Sequence, residues 1–528
     1  MINRKMAEID SLIGGLDTFV SETEIDDSST PDCENVIPVG KGGIRTRLGR
    51  TAWGGEITNG YGGQDKFIYI NSSNVIEELV VINGVLKKKN GTSWDIITGA
   101  TFSTTNRVYA AQAGTRLYFA DGVTALCYYD GANIVTTGIN SAPLPSIIIF
   151  YNRRLYCNDV AHPDRYYFGG AMTSEGLVAN TGDFRSTTPA FAGYAGFGLG
   201  KVVIGLAKLG SSSLIVGLKD GSHRIAPTSD SGTTTALAHS EEMISNSIGF
   251  ANHGAMDSIE NDLGFLSWSD FYLLGEVASY TSLRTRIIST KVSNIISGIS
   301  AANLTKTVVL YSPSQKKIYL AYTDGTTYNN KVLVYDTYYK SWWRYSNWNI
   351  ASLTEHTDLT NATYLIALSG NSADSYCYQL NNTSNDAGSA ITWYWKSKIF
   401  DMKGFDILKK FKRWATQFGG LYGTLTITIY IGGLANTSTL QLGSSATGSA
   451  GLGCLPLGQF VLGQDDNAFV AASLINDWRW KKLARPNEAV NIQFKFSGSG
   501  ISEAGQIEKI KIYYNENPLK KDRTKRIT

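Results

Sequence analysis

Histidine is scarce in this chain. Only five occur in 528 residues, at His162, His223, His239, His253 and His356, and none falls in an HxH or HExxH arrangement. A histidine-built zinc site or a catalytic triad therefore has no local signature to rest on. Cysteine is equally rare. Cys33, Cys127, Cys157, Cys377 and Cys454 are odd in number, far apart and never paired as CxxC, so they read as free buried thiols rather than a disulfide framework or a metal cluster. No run approaches the roughly 18 apolar residues of a membrane span, and MINRKMAEIDSLIGGLD lacks a signal-peptide core, so a soluble chain made in a cytoplasm is expected. Charge is low as well, at 18% of residues with a formal net charge of +3 spread along the chain, which gives no general case for nucleic-acid binding. The exception is the terminal LKKDRTKRIT. Lys520, Lys521 and Arg523 read there as a solvated tail or as a contact with an acidic partner. No GxSxG elbow or Walker loop is present: VGKGG at Val39 lacks the following Ser or Thr, and GYAGFGLG from Gly193 is not set between a strand and a helix.

Glycine and aromatic residues are plentiful instead. There are 54 glycines and 29 tyrosines, proportions that favour strands and tight turns over helices. The most informative stretch is KIYLAYTDGTTYNNKVLVYDTYYKSWWRY, Lys317 to Tyr345. Its strands are apolar on both alternating faces, Ile318, Leu320 and Tyr322 on one side and Tyr319 and Ala321 on the other, so the hairpin must be covered above and below. A blade sandwiched between two other blades of a propeller meets that demand, as does a central hairpin of a sandwich. Related strand-turn segments recur at Phe67, Leu117, Leu155, Leu214, Phe265, Ile318 and Leu365, at spacings of 38 to 59 residues. Propeller repeats fall in about this range, roughly 40 to 50 residues.

Turn pairs such as Asn83-Gly84, Asp121-Gly122 and Asp324-Gly325 punctuate the region, and VVINGVLKKK predicts a hairpin with a type I′ turn. The Gly/Ala/Thr-rich interval from Met172 to Gly200 breaks the rhythm and reads as an inserted loop. After the polar linker Asn381 to Ala390 the pattern changes to strict alternation, with Leu425, Ile427, Ile429 and Ile431 on one face and Thr424, Thr426 and Thr428 on the other. VNIQFKF and EKIKIYY repeat it, which predicts a sandwich of sheets each with one buried face. GLGCLPLGQFVLG, Gly451 to Gly463, is an apolar loop that either packs or makes a contact. Residues 1–60 read as an arm without a core of its own, acidic and then basic and Gly-rich.

Candidate chemistry is thin. TSDSGTTT, with Thr228, Asp230 and Gly232, is similar to a single Asp-box turn of sialidases but lacks the final aromatic residue. Asp257, Glu260, Asp262 and Asp270 are close in sequence without forming a motif. Trp342, Trp343, Tyr345 and Trp348, and Trp393, Tyr394 and Trp395, are aromatic clusters of the kind that build cores and interfaces more often than sugar or base platforms.

The opening residues carry a resemblance. GGLDTF, an acidic linker, and then PDCENVIPVGKGGIRTRLGR resemble the start of tail nozzle proteins (the tail tubular or DNA-stabilisation type) of short-tailed bacteriophages. An Asn is followed there by a Gly and then by Arg-x-Arg-x-Gly, here Asn35, Gly43, Arg45, Arg47 and Gly49. GFLSWSDFYLLG, VYDTYYKSWW and the YCYQLNNTSND to ITWYWKSKIF junction follow in the same order. The resemblance implies an all-β chain, a β-propeller plus a β-sandwich, and a structural role without cofactor or catalysis. It further implies a homo-oligomeric ring, hexameric in that family, contacting the portal, adaptor and other tail proteins such as fibres. Genomic DNA would pass without sequence specificity, and the chain would be located in the virion tail after assembly in the host cytoplasm.

The combined expectation is an all-β chain: an arm over 1–60, a β-propeller of six to eight blades over 61–386, a β-sandwich over 387–518 and a basic tail over 519–528. Arg45, Arg47, Arg50, Lys520, Lys521 and Arg523 are the candidate interface residues, with no catalytic, cofactor or metal site and no small-molecule substrate. The alternative is a glycan-binding or glycan-hydrolysing propeller protein of the tail.

Overall fold

Strand pairing in this chain is set by its turns. In the computed structural model Asn83 and Gly84 both adopt positive φ, 49° and 72°, joining strands Ile76–Ile82 and Val85–Asn90 through the tight turn that their side chains allow. The structure describes the chain except for residues 1–3, 41, 138, 140–141, 173–183, 185–191, 195–199, 211–212, 230–237, 278–281, 403–406, 443–476, 484–487, 501–503 and 519–528. Strand accounts for about 57% and helix for 4%. The fold is all-β. Among the described residues, no helix is long and apolar enough to cross a membrane.

The chain forms two compact units. One comprises Thr51–Val334 and Asn347–Leu380, and it is a β-propeller. Five antiparallel four-stranded meanders follow one another, beginning at Gly63–Ile70, Tyr109–Ala113, Ile148–Tyr151, Val203–Leu209 and Met256–Ile259. A further sheet starts with Val308–Ser312, Lys317–Tyr322 and Asn329–Asp336 as a sixth blade. It continues through the later part of Ser341–Thr357 into Thr363–Ser369 and Cys377–Thr383 as a seventh. The last strand position is filled from the other end of the chain by Gly49–Ala52, and the Trp53 N–H donates to Cys377 O at 2.8 Å.

Blades hold together because both faces of their inner strands are apolar. Ile318, Tyr319, Leu320 and Ala321 are all fully buried, as the two-faced pattern requires. Leu79, Val81 and Leu86 of the first blade pack on Leu117, Phe119 and Tyr129 of the second. Tyr118 and Tyr128 of the second meet Leu155 and Cys157 of the third. The circle closes where Val80, Ile82 and Trp94 meet Ile366, Leu368 and Cys377 of the seventh. The Met172 to Gly200 interval differs from the expected inserted loop. Much of it lies outside the described residues, but Phe184 is buried in the seam between the second and third blades, and Ala192–Tyr194 is the fourth strand of the third blade.

The second unit comprises Met1–Arg50, Tyr335–Ser346 and Asn381–Thr528. Its backbone is the 25-residue strand Ile407–Ile431. Residues 407–422 pair with Ala504–Pro518, and 426–431 pair with Ile492–Gly500, so one strand serves both layers of a sandwich. Leu425, Ile427, Ile429 and Ile431 are all buried, as their alternation predicts. Trp414 of one layer meets Phe494 of the other edge-on at 6.2 Å.

The N-terminal residues are built into this unit strand by strand. Arg4–Ile9 and Gly43–Thr46 pair with Ala504–Pro518, Asp32–Glu34 pairs with Ile391–Lys396, and Leu12, Leu16, Ile25, Cys33 and Ile44 are core. The unit therefore draws on three separated stretches. Twelve of its residues, 335–346, come from inside the span expected to be propeller, and the propeller unit starts at Thr51, not at residue 61. The loop Gly451 to Gly463 and the tail 519–528 lie outside the described residues.

Candidate functional site

Two constellations stand out, one in each unit. In the sandwich unit the residues that carry the family resemblance converge on one buried guanidinium. Arg47 Nη1 and Nη2 donate to Asp386 Oδ1 and Oδ2 at 2.9 and 2.6 Å, while Nε donates to Asn35 Oδ1 at 2.7 Å. The remaining N–H groups donate to Leu48 O at 3.0 Å and Ser346 O at 2.9 Å. Five donors thus meet five acceptors, the complement a guanidinium can satisfy in full.

Asn35 turns its chain with φ 58° and is itself fully buried. Its Nδ2 donates to Ser346 Oγ at 2.9 Å and Thr392 O at 2.7 Å, and its Oδ1 also accepts the Ser346 N–H at 2.9 Å. Gly49 completes the motif by leaving room. A Cβ there would lie 1.8 Å from the Asn385 carbonyl oxygen, where no side chain fits without moving backbone.

Among the other interface candidates, Arg45 is partly buried on strand Gly43–Thr46 opposite Ile37 and Gln506. Arg50 is partly buried, and its carbonyl accepts the Ala387 N–H at 2.7 Å. Lys520, Lys521 and Arg523 lie outside the described residues, as do Asp230 and Gly232 of the Asp-box-like turn. Arg47, one of the candidate interface residues, meets its acid within its own chain.

In the propeller unit a cavity of about 520 Å³ opens where the first strands of the blades begin. Gln64, Arg107, Ser146, Ile204, Asn252, Lys306 and Ile350 each reach it from a different blade or from the segment leading into one. Arg107 pairs with Asp65 through Nη2 at 2.8 Å and lies over the Tyr109 ring, 5.2 Å from its centroid. His253 meets the same ring edge-on at 4.7 Å. Its Nδ1 accepts the Leu206 N–H at 3.3 Å, which places the proton on Nε2. Burial first, then the nearby Arg107 charge, push this histidine down to about 4, against an opposing hydrogen bond to the Ile148 backbone. Asp121, also in the wall, is held below the usual carboxylate range: burial would raise it, but N–H groups of Ser103, Thr124 and Val123 and the Thr124 hydroxyl outweigh that.

Sequence reasoning did not find this cavity. Its polar residues are spread over the whole propeller, and the signal is positional: a polar residue recurs at the start of the first strand or just ahead of it in five blades, as at Gln64, Asn106, Ser146, Asn252 and Lys306.

Of the other candidates, Asp257 and Glu260 meet at Tyr311, whose N–H and hydroxyl donate to them at 2.7 and 3.3 Å. Asp257 also accepts the Ser258 N–H at 2.8 Å, and Asp270 accepts the Ser289 hydroxyl at 2.9 Å. No group of three or more His, Cys, Asp or Glu placed to hold a metal occurs among the described residues. Trp342, Trp343, Tyr345, Trp348, Trp393 and Trp395 are buried at 3% exposure or less, so they build cores and present no stacking surface. Cys33, Cys127, Cys157 and Cys377 are free and buried, and burial pushes the Cys33, Cys127 and Cys377 thiols up to about 12.

Buried histidines give the fold a pH dependence. His239 and His253 are both pushed down to about 4, chiefly by burial, whereas in the unfolded chain each titrates near 6.5. Between those values the unfolded chain holds more protons, so stability falls as pH falls. Asp257, pushed up to about 6 by burial, works in the opposite direction between roughly 3.9 and 6, where the folded chain holds the extra proton. His356, Glu78 and Asp121, also held below their usual values, act with the histidines, and Asp262, raised like Asp257, acts against them; the balance leaves an acid-labile fold. Calorimetry should show a lower melting temperature near pH 4.5 than near pH 7, with a smaller difference in His253→Gln.

No family model matches the chain, and no curated protein matches it in sequence. Solved structures to which the chain shows some similarity include "YCF48 bound to D1 peptide", at 11% identity and a TM-score of 0.37, over 62% of this chain and 94% of that one. YCF48 from Cyanidioschyzon merolae matches at 10% identity and a TM-score of 0.37, over 64% of this chain and 99% of that one. The extracellular domain of the putative one-component system BT4673 from B. thetaiotaomicron matches at 11% identity and a TM-score of 0.39, over 71% of this chain and 43% of that one.

Proposed function

We propose that this chain is a structural protein of a bacteriophage virion, a subunit of a ring-shaped tail nozzle that continues the DNA channel below the portal and adaptor. The observation that carries the reading is the buried Asn35–Arg47–Asp386 constellation. The residues by which the chain resembles nozzle proteins are not incidental turn residues: Asn35 and Arg47 are fully satisfied and buried, and Gly49 touches backbone where no side chain fits. A motif with that role belongs to an architecture, and the same motif opens the nozzle family. On this reading the partners are further copies of the chain in a hexameric ring, the portal or adaptor, other tail proteins such as fibres, and DNA in transit.

The competing reading is a glycan-binding or glycan-hydrolysing tail propeller. Mass spectrometry of purified particles, together with incubation of the purified chain with host surface polysaccharide, separates the two. The nozzle reading expects the chain in the particle at the copy number of the tail ring and no sugar released. Absence from particles, or released sugar, overturns it.

A further inference from the structure

Asn-Gly occurs three times in the chain, at Asn59, Asn83 and Asn90, each time within the propeller unit. The pair is chemically reactive as well as a turn signal. Glycine has no side chain to keep its main-chain nitrogen away from the asparagine amide carbon, so the one can attack the other wherever the nitrogen is free and meets water. The fold gives the three pairs different surroundings.

Asn83 is protected. Gly84 is buried, its N–H donates to Gln64 Oε1 at 2.7 Å, and a Cβ on it would strike the Phe102 carbonyl oxygen, so the attacking nitrogen is both engaged and walled in. Asn90 is exposed but tethered, because its Nδ2 donates to Asp95 Oδ2 at 2.7 Å and ties the side chain to strand Ser93–Ile96. Asn59 has neither restraint. Asn59 and Gly60 are both exposed, and neither makes a hydrogen bond among the described residues. Gly60 turns with φ 85°, and nothing lies within 4 Å of the place its Cβ would take.

The turn at Asn59 lies between two fixed points. On one side the Ile57 N–H donates to Ser375 O at 2.8 Å and the Thr58 N–H to Ser375 Oγ at 3.1 Å, while Lys87 Nζ donates to Ile57 O and Thr58 Oγ1 at 2.7 and 2.6 Å. On the other, Gly62 lies so close to Gly370 that a Cβ would collide with its carbonyl oxygen. Ile57 is itself part of the buried cluster, with Trp94, Ile366, Leu368 and Cys377, at which the propeller closes.

We infer that Asn59 is a site of spontaneous deamidation, and that its isoaspartyl product loosens this closure. Gly60 N bonds to Asn59 Cγ and gives up its proton, the Cγ–Nδ2 bond breaks, and Nδ2 leaves as ammonia, which leaves a cyclic imide. Water then opens the imide. Opening at Cγ gives aspartate; opening at the main-chain carbonyl gives isoaspartate, whose backbone runs through the side chain and is one carbon longer. Held at Thr58 and at Gly62, the lengthened turn must displace one anchor or the other. This chemistry goes beyond the structural role proposed above and does not depend on ring formation.

Peptide mapping of the native full-length chain, aged at mildly alkaline pH and physiological temperature, tests the inference. The three pairs fall in separate tryptic peptides, 51–66, 67–87 and 90–107. Peptide 51–66 is expected to exchange amide for acid first and to split into aspartyl and isoaspartyl forms, with Asn90 slower and Asn83 at least tenfold slower. In urea, where the surroundings are lost, the three rates should converge. Aged chain should also take up a thiol label at Cys377 faster than fresh chain, and Asn59→Gln aged in the same way should show no such gain. An Asn59 that stays intact in the native chain, Asn83 or Asn90 reacting as fast as Asn59, or Cys377 labelling unchanged by ageing overturns the inference.

Discussion

Arg47→Met is expected to destabilise the sandwich unit by about 3–5 kcal/mol, the cost of removing one partner from a buried ion pair. Methionine matches the apolar stem but leaves the Asp386 carboxylate, 4% exposed, with no cation. It also strands the Leu48 and Ser346 carbonyls, which Arg47 now satisfies, and leaves Asn35 Oδ1 with only the Ser346 N–H. Arg47→Lys should recover only part of the loss, because an ammonium has three donors on one atom where five acceptors are arranged around a plane. Arg45→Ala, on a partly buried side chain of the same strand region, should cost far less. Calorimetry, in which the two units can melt separately, reads all three. Equal melting of Arg47→Met and wild type would show that the guanidinium is dispensable to the fold.

A loss of similar size is expected from Glu78→Leu at the seam where the propeller closes. Lys66 Nζ is fully buried and lies 2.8 Å from Glu78 Oε2, while Trp53 Nε1 donates to both carboxylate oxygens at 2.8 and 2.9 Å. Lys89 also reaches Glu78, at 3.3 Å, and stacks on the Trp53 ring 4.0 Å from its centroid. Burial alone would raise the Glu78 carboxyl, but Lys66, Trp53 and Lys89 together hold it below the usual range. Leucine would leave Lys66 as a buried, uncompensated charge, again about 3–5 kcal/mol. Lys66→Met should be milder, because Glu78 keeps Lys89 and Trp53.

The readout is local. Cys377 lies in this seam, and its thiol, pushed up to about 12 by burial, should resist labelling until the seam opens. Peptide mapping after thiol labelling should show Cys377 modified much faster in Glu78→Leu than in wild type. No acceleration would mean that the ring is closed by its apolar contacts alone.

What the sequence made legible was local. Asn83-Gly84 predicts a turn because its φ values follow from the residues themselves, and the strand Leu425 to Ile431 predicts its buried face because the side-chain period is two. Lys317–Tyr322, apolar on both faces, predicts cover on both sides, and the propeller supplies it.

What escaped was non-local. Arg47 stands out in the sequence as a basic motif residue, but its acid is 339 positions away, in the polar stretch Asn381 to Ala390. Residues 335–346 continue a blade hairpin in sequence yet belong to the sandwich unit, and no composition shift marks the change. Arg107, Asn252 and Asn329 look like ordinary loop residues in sequence. They line one cavity only when the circle of blades brings their positions together.

Single-particle imaging of the purified full-length chain, over a range of concentrations and after mixing with the portal and adaptor proteins of the same particle, tests the structural reading most directly. The expected result is a closed ring of identical subunits around a channel wide enough for duplex DNA. A chain that stays monomeric under all these conditions, or that assembles without a central channel, would contradict it.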